Sequence, residues 1–147
     1  MRVLVAAVGR VKERGLRELI DDYEKRIGRY ARFDEIELAD ASEAETAARF
    51  AKAIPERARV VALEVEGTRM TSEGFARWIE RCEVGAVPSI VFVIGGAYGL
   101  PRETSQRADL RLSLSDMILP HRLARLFLVE QIYRAFTILR NEPYSHA

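Results

Sequence analysis

The sequence predicts an α/β fold built on a largely parallel sheet, and three observations lead there. Four apolar, β-branched runs recur along the chain, amphipathic stretches with helical spacing separate them, and no repeat, low-complexity tract or long linker interrupts the alternation. The strand runs are "RVLVAAV" (Arg2 to Val8), "FDEIELA" (Phe33 to Ala39), "RVVALEV" (Arg59 to Val65) and "SIVFVIG" (Ser89 to Gly95), with a shorter fifth, "RLSLS" (Arg111 to Ser115). Leu16, Leu19, Ile20, Tyr23 and Ile27 mark the first helix, Phe50 and Ile54 the second, and Phe75, Trp78 and Ile79 the third. "TSEGF" starts that third helix with Thr71 or Ser72 as its cap, and Pro88 precedes the next strand. From His121 to Arg140 runs a last helix of about 30 Å at roughly 1.5 Å per residue. Its apolar residues, among them Leu123, Phe127, Ile132 and Phe136, cover more than one stripe, so it must be buried on two sides. Homodimerisation is the economical solution, because a chain this short has little left to wrap a central helix.

Length and composition narrow the function. At 147 residues with 48% hydrophobic content, the chain is read as one domain, 1–147. A net charge of +1 makes no general polyanion binder, so any nucleic acid must meet a local patch. Arg10, Lys12, Arg14 and Arg17 cluster early, whereas Asp34, Glu35, Glu37, Asp40, Glu43 and Glu45 form an acidic stretch. Both read first as solvated faces, and second, for the basic cluster, as an RNA-facing edge. A lone Cys82 and two histidines, His121 and His146, offer no disulfide and no metal cluster. The apolar start ends at Gly9, too brief for a secretory signal or a membrane span, and a cytoplasmic location is expected.

"FVIGGAYGLP" (Phe92 to Pro101) raises the functional question. Glycines at the carboxyl end of a buried strand either let a flat ligand approach the main chain or merely make a tight turn. "GGAYGLPRE" lacks the lysine and hydroxyl residue of a P-loop, and its spacing does not match a dinucleotide fingerprint, although Asp116 lies at a suggestive distance for a ribose contact. "SLSDMILPH" (Ser113 to His121) is an apolar loop ended by Pro120 at the helix start. The two loops form either a core plug or a pocket of backbone and aliphatic side chains, suited to an adenine or a thioether rather than a triphosphate.

Several segments resemble one known family. "VAAVGRVKE", "YEKRIGRY", "VALEVEGTRMTSEGFA", "FVIGGAYGL" and "LSLSDMILPHRLARLFLVEQIYRAFTILRNEPYSH" are similar, in order and spacing and nearly end to end, to the ribosomal RNA large subunit methyltransferase H family of the SPOUT methyltransferases. The resemblance implies a SPOUT-type α/β fold with a C-terminal deep trefoil knot, which periodicity alone would argue against. It also implies a homodimer and an S-adenosyl-L-methionine-dependent 23S rRNA (pseudouridine-N3)-methyltransferase acting on the assembled ribosome. Carried onto this chain, cofactor contacts fall on Leu63, Gly95 and the run Leu114, Ser115, Asp116, Met117, Ile118 and Leu119.

N3 of pseudouridine is an imide that attacks well only once its proton leaves, so the acceptor side needs a base or a cation. His121, Arg125, Arg134, Tyr144 and His146 are the candidates. His121 stands in the first turn of the last helix, where the helix dipole favours neutral imidazole, and it reads equally as a residue bonded to backbone. Arg125 and Arg134 suit a phosphate or an imide anion, or a salt bridge to Glu130 or a partner subunit. The tail "NEPYSHA" departs from the family's tyrosine, histidine, basic ending, so Tyr144 transfers directly and His146 only with a displacement of one residue. The tail is expected to be mobile until RNA arrives. The rival class is a non-catalytic ribosome- or nucleotide-binding module on the same scaffold, with a dinucleotide oxidoreductase third.

Overall fold

The computed structural model describes residues 1–146, and of His146 the backbone only. Five strands form one sheet: β1 (Arg2–Val8), β2 (Arg32–Leu38), β3 (Arg59–Arg69), β4 (Ser89–Ile94) and β5 (Leu110–Ser113). Their order is β2-β1-β4-β3-β5 and every pairing is parallel. The predicted fold class is what forms, because β1 and β4 are apolar on both faces and only helices on both sides can bury them. Side chains alternate across the sheet: Val3, Val5 and Ala7 face one core, Leu4, Ala6 and Val8 the other. Helices α1 (Arg14–Ile27), α3 (Ser72–Val84) and α5 (His121–Leu139) cover the first face. The smaller second core packs under α2 (Glu43–Ala53), whose Phe50 is wholly buried, and near the short α4 (Arg102–Arg107).

Boundaries differ from expectation where polar residues continue a ladder. β3 runs on to Arg69 through a register irregularity between Leu63 and Thr68, where Gly67 lies so close to the Arg111 carbonyl that a Cβ would stand 2.7 Å from it. β5 begins at Leu110 and ends at Ser113, earlier than its apolar pattern suggested. Of the two expected caps for α3, Thr71 is the one used, its hydroxyl accepting from the Gly74 N–H at 3.0 Å. Thr71→Ala is expected to cost about 1 kcal/mol and lower the melting temperature by about 2–4 °C, read by thermal unfolding.

The last helix lies between α1 and α3, so this chain itself covers much of its surface. Leu128, Val129, Ile132 and Phe136 are buried there, while Leu123 and Phe127 remain 40% exposed beside the more exposed Met117 and Ile118. The acidic stretch is not simply a solvated face. Glu35 and Glu37 on β2 receive Arg17 from α1 and Arg125 from α5, while Arg10, Lys12 and Arg14 stay exposed. Parallel pairing of β1 with β2 brings the two opposite-sign clusters together. Tyr144 is held, in a closing 3₁₀ turn (Pro143–His146), by a hydrogen bond to Glu130 at 2.6 Å.

Candidate active site

Where β3, β4 and β5 end, a cavity of about 880 Å³ opens at the carboxyl edge of the sheet. Such edges are where open α/β folds take ligands, and the volume lies within the range of small-molecule sites. Leu63, Ile94, Leu112, Leu114 and Leu119 give it aliphatic walls, and Gly95 to Leu100 form one side. Among the expected cofactor positions, Leu63, Gly95, Leu114, Ser115, Met117, Ile118 and Leu119 all line the cavity. Asp116 does not. Arg69 holds it, with Nη1 donating to Oδ1 at 2.9 Å and to Oδ2 at 2.7 Å, which ties the loop after β5 back to β3. Ser115 shapes the same loop, its hydroxyl accepting from the Met117 N–H at 3.0 Å.

The glycine loop has a cause the sequence did not reveal. Gly99, at φ +81°, turns the chain back, and its N–H donates to the Gly96 carbonyl at 3.0 Å. A Cβ on Gly95 would overlap the Gly99 backbone and stand 2.5 Å from the Leu100 nitrogen. Gly95 is therefore required first by the turn's own main chain, and the turn then borders the cavity.

His121 opens α5 at the cavity rim, with its ring against Gly9. Gly9 has φ +100°, and a Cβ there would stand 3.0 Å from Nε2. That nitrogen is buried and without a hydrogen-bond partner among the described residues, so the reading of a helix-start residue bonded to backbone does not hold for it. Burial, then the guanidinium groups of Arg125 and Arg122, push the imidazole below its ordinary 6.5 and keep it neutral.

Arg125 lies one turn behind His121 and is 1% exposed. Its Nη1 donates to Glu37 at 2.7 Å and to the Gly9 carbonyl at 3.4 Å, and Nη2 stands 2.8 Å from Glu35. Burial would raise the Glu35 carboxyl, but hydrogen bonds from Glu24, Arg17 and Arg125 outweigh it and hold it well below the ordinary range. Arg125 thus faces carboxylates of its own chain and braces the glycine on which His121 rests.

Arg134 and Tyr144 belong to a second cluster. Arg134 pairs with Glu130 at 2.7 Å, Tyr144 donates to the same carboxylate, and the Arg134 guanidinium lies 5.0 Å from the Tyr144 ring centre. Burial, then Glu130 and Tyr23, raise the Tyr144 phenol. His121 and Arg134 are about 20 Å apart along the helix axis, so one chain does not bring these candidates to one place. The side chain of His146 lies outside the described residues. The salt bridge to Glu130 that the sequence offers as one reading forms with Arg134 and not with Arg125. Sequence reading missed Glu130 as the acceptor of Tyr144 and Glu35 and Glu37 as the partners of Arg125.

Among the described residues, no group of three or more His, Cys, Asp or Glu is placed to hold a metal, and no helix is long and apolar enough to cross a membrane. Comparison with known proteins gives the lineage. The family model described as a predicted SPOUT methyltransferase matches residues 1–146. A ribosomal RNA large subunit methyltransferase H of Sorangium cellulosum is 50% identical over 146 residues, covering 99% of this chain and 100% of that protein. One of the same name from Geobacter sulfurreducens is 42% identical over 153 residues, again covering 99% and 100%. In shape, a probable methylase family protein from Haemophilus influenzae superposes with a TM-score of 0.60 at 13% identity, over 97% of this chain and 68% of its own, which speaks for the fold alone. The chain belongs to the SPOUT methyltransferase family.

Proposed function

We propose that this protein methylates N3 of a pseudouridine in large-subunit ribosomal RNA, using S-adenosyl-L-methionine, on the assembled ribosome in the cytoplasm. The observation that carries the reading is the roughly 880 Å³ cavity at the strand ends with a neutral imidazole, that of His121, at its rim. The relatives' shared name supplies the substrate class. The residues fit the cofactor: Leu63, Leu114 and Leu119 offer aliphatic walls, and the turn from Gly95 to Gly99 offers main-chain groups for an adenine. Bound there, S-adenosylmethionine supplies a methyl group already activated by its sulfonium charge. His121 takes the imide proton on its imidazole, whose neutral form is able to accept one.

The second cluster is supplied by another copy of the chain. Arg134 lies too far along α5 to serve its own cavity and Tyr144 is clustered with it through Glu130, and Leu123 and Phe127 offer an apolar surface that a homodimer would cover; His146 of the tail is proposed to act with them. The deep trefoil knot and the single-domain organisation belong to the same reading. A non-catalytic module would keep the cavity but transfer nothing, so activity separates the two.

The test is transfer of labelled methyl groups to ribosomes lacking the modification. Wild type is expected to label the large subunit and His121→Ala to turn over about 10²–10⁴-fold more slowly while keeping its donor affinity by calorimetry. Wild-type kcat/KM should fall as pH drops below 6.5, through the lowered His121 pKa, because only the neutral ring accepts a proton. A His121→Ala enzyme with wild-type turnover would remove the base from this mechanism, and absence of any transfer by wild type would favour the binding module.

A further inference from the structure

We infer that Glu64 and Glu66 make the cavity select its ligand by charge, so that it holds cationic S-adenosylmethionine more tightly than neutral S-adenosylhomocysteine. The inference rests on the donor reading above and goes beyond it to how the spent ligand leaves. Both glutamates line the cavity, and they stand two apart on β3 within its register irregularity. They are the side chains in its wall that carry a full charge at neutral pH: among the described residues no lysine or arginine lines it, and the His121 ring is held neutral.

Neither carboxylate has a side-chain hydrogen bond or an ion pair among the described residues, although the chain carries 23 lysines and arginines. The cation nearest along the strand, Arg69, is taken by Asp116 at 2.7 Å. Glu35, by contrast, meets two guanidinium groups and Glu130 meets one. Their negative charge is thus uncompensated in the cavity wall, with Glu64 half-buried and Glu66 exposed beside a mostly aliphatic lining.

S-adenosylmethionine and S-adenosylhomocysteine differ by one methyl group and one positive charge. A carboxylate several ångströms from that charge, in surroundings between water and protein interior, is worth a factor of about three to ten in affinity. The same field disfavours polyanions such as NAD, which the glycine spacing alone left as a minor alternative. It also releases the neutral form after each turnover, a result opposite to product retention.

Titration calorimetry on the intact protein with S-adenosylmethionine and S-adenosylhomocysteine, at low and high salt, tests this. Wild type should prefer the cationic ligand at least threefold, and the preference should shrink as salt screens it. In the Glu64→Gln, Glu66→Gln double variant, with folding checked by circular dichroism, S-adenosylmethionine should weaken by about the lost preference and S-adenosylhomocysteine by less than twofold. Equal wild-type affinities, tighter binding of S-adenosylhomocysteine, or parallel weakening of both ligands in the variant would overturn the inference while leaving the donor site standing. Binding of neither by wild type would instead overturn the donor reading and this inference with it.

Discussion

Substituting alanine for Gly95 is expected to weaken S-adenosylmethionine binding at least 100-fold while leaving the protein folded. The added Cβ would overlap the Gly99 backbone and stand 2.6 Å from its carbonyl oxygen, and neither is the movable end of a side chain. The turn must therefore open. Opening it breaks the bond from the Gly99 N–H to Gly96 and displaces the cavity side formed by Gly95 to Leu100. A displacement of a few tenths of an ångström would be tolerable in water, but a wall that presents main-chain groups to a flat ring loses its hydrogen-bond geometry quickly. The stability cost should be confined to the turn, about 1–3 kcal/mol, because the buried strand β4 ends at Ile94 and keeps its ladder. Calorimetry reads the affinity and thermal unfolding the stability. Gly15→Ala is the control, since nothing stands within 4 Å of a Cβ there and helix α1 should gain slightly. Near-normal binding by Gly95→Ala would show that this turn is not the cofactor's wall.

What could be read from the sequence follows from how far apart the interacting residues lie. The strands of the sheet centre announced themselves because β1 and β4 are apolar on both faces and flanked by periodic helices. The full length of β3 did not, because Glu64, Glu66 and Gly67 break the apolar pattern and fall in the register shift, with pairing to β5 resuming only at Thr68 and Arg69. Leu63, Gly95 and the loop after β5 could be picked as a cavity from strand ends, glycines and a proline, all local signals. The reason for Gly95 could not, since its neighbour is a backbone atom whose position depends on how the turn closes. Long-range ion pairs were invisible for the same reason. Arg125 and Glu37 are 88 residues apart in sequence, and nothing in either neighbourhood says that a parallel sheet will set β2 beside the start of the last helix. The reading of the acidic stretch as a solvated face accordingly holds for Asp40, Glu43 and Glu45, which are exposed, and fails for Glu35 and Glu37, which meet Arg17 and Arg125.

Arg125→Met should cost about 3–5 kcal/mol of stability, a large share of what a domain of this size has. Methionine fills much of the same space, so the loss is electrostatic: Glu35 keeps Arg17 and Glu24, Glu37 keeps Arg17 and the Val11 N–H, and both carboxylates lose their nearest buried cation. The pH dependence identifies the cause. Glu35 titrates near 2 in the folded protein against an ordinary 4.5, so its ion pairing stabilises the fold fully above 4.5 and is lost as pH falls toward 2. The deficit of Arg125→Met relative to wild type should therefore be largest near neutrality and shrink below pH 4.5, as Glu35 of the variant, freed to titrate closer to its ordinary range, takes up a proton that wild-type Glu35 refuses until about 2. A cavity or packing defect would give a deficit indifferent to pH. Denaturant unfolding of both proteins between pH 3 and 7 separates the two causes, and Arg125→Met combined with Glu37→Gln should recover part of the loss at neutral pH. His121 reports the functional half. With the guanidinium gone from behind it and Gly9 released from the Arg125 hydrogen bond, its pKa should move up toward 6.5, shifting the acid limb of activity in the same direction. A variant as stable as wild type at pH 7 would show that the remaining partners, Arg17 foremost, satisfy both carboxylates, and that the buried guanidinium is not what holds β2 and α5 together.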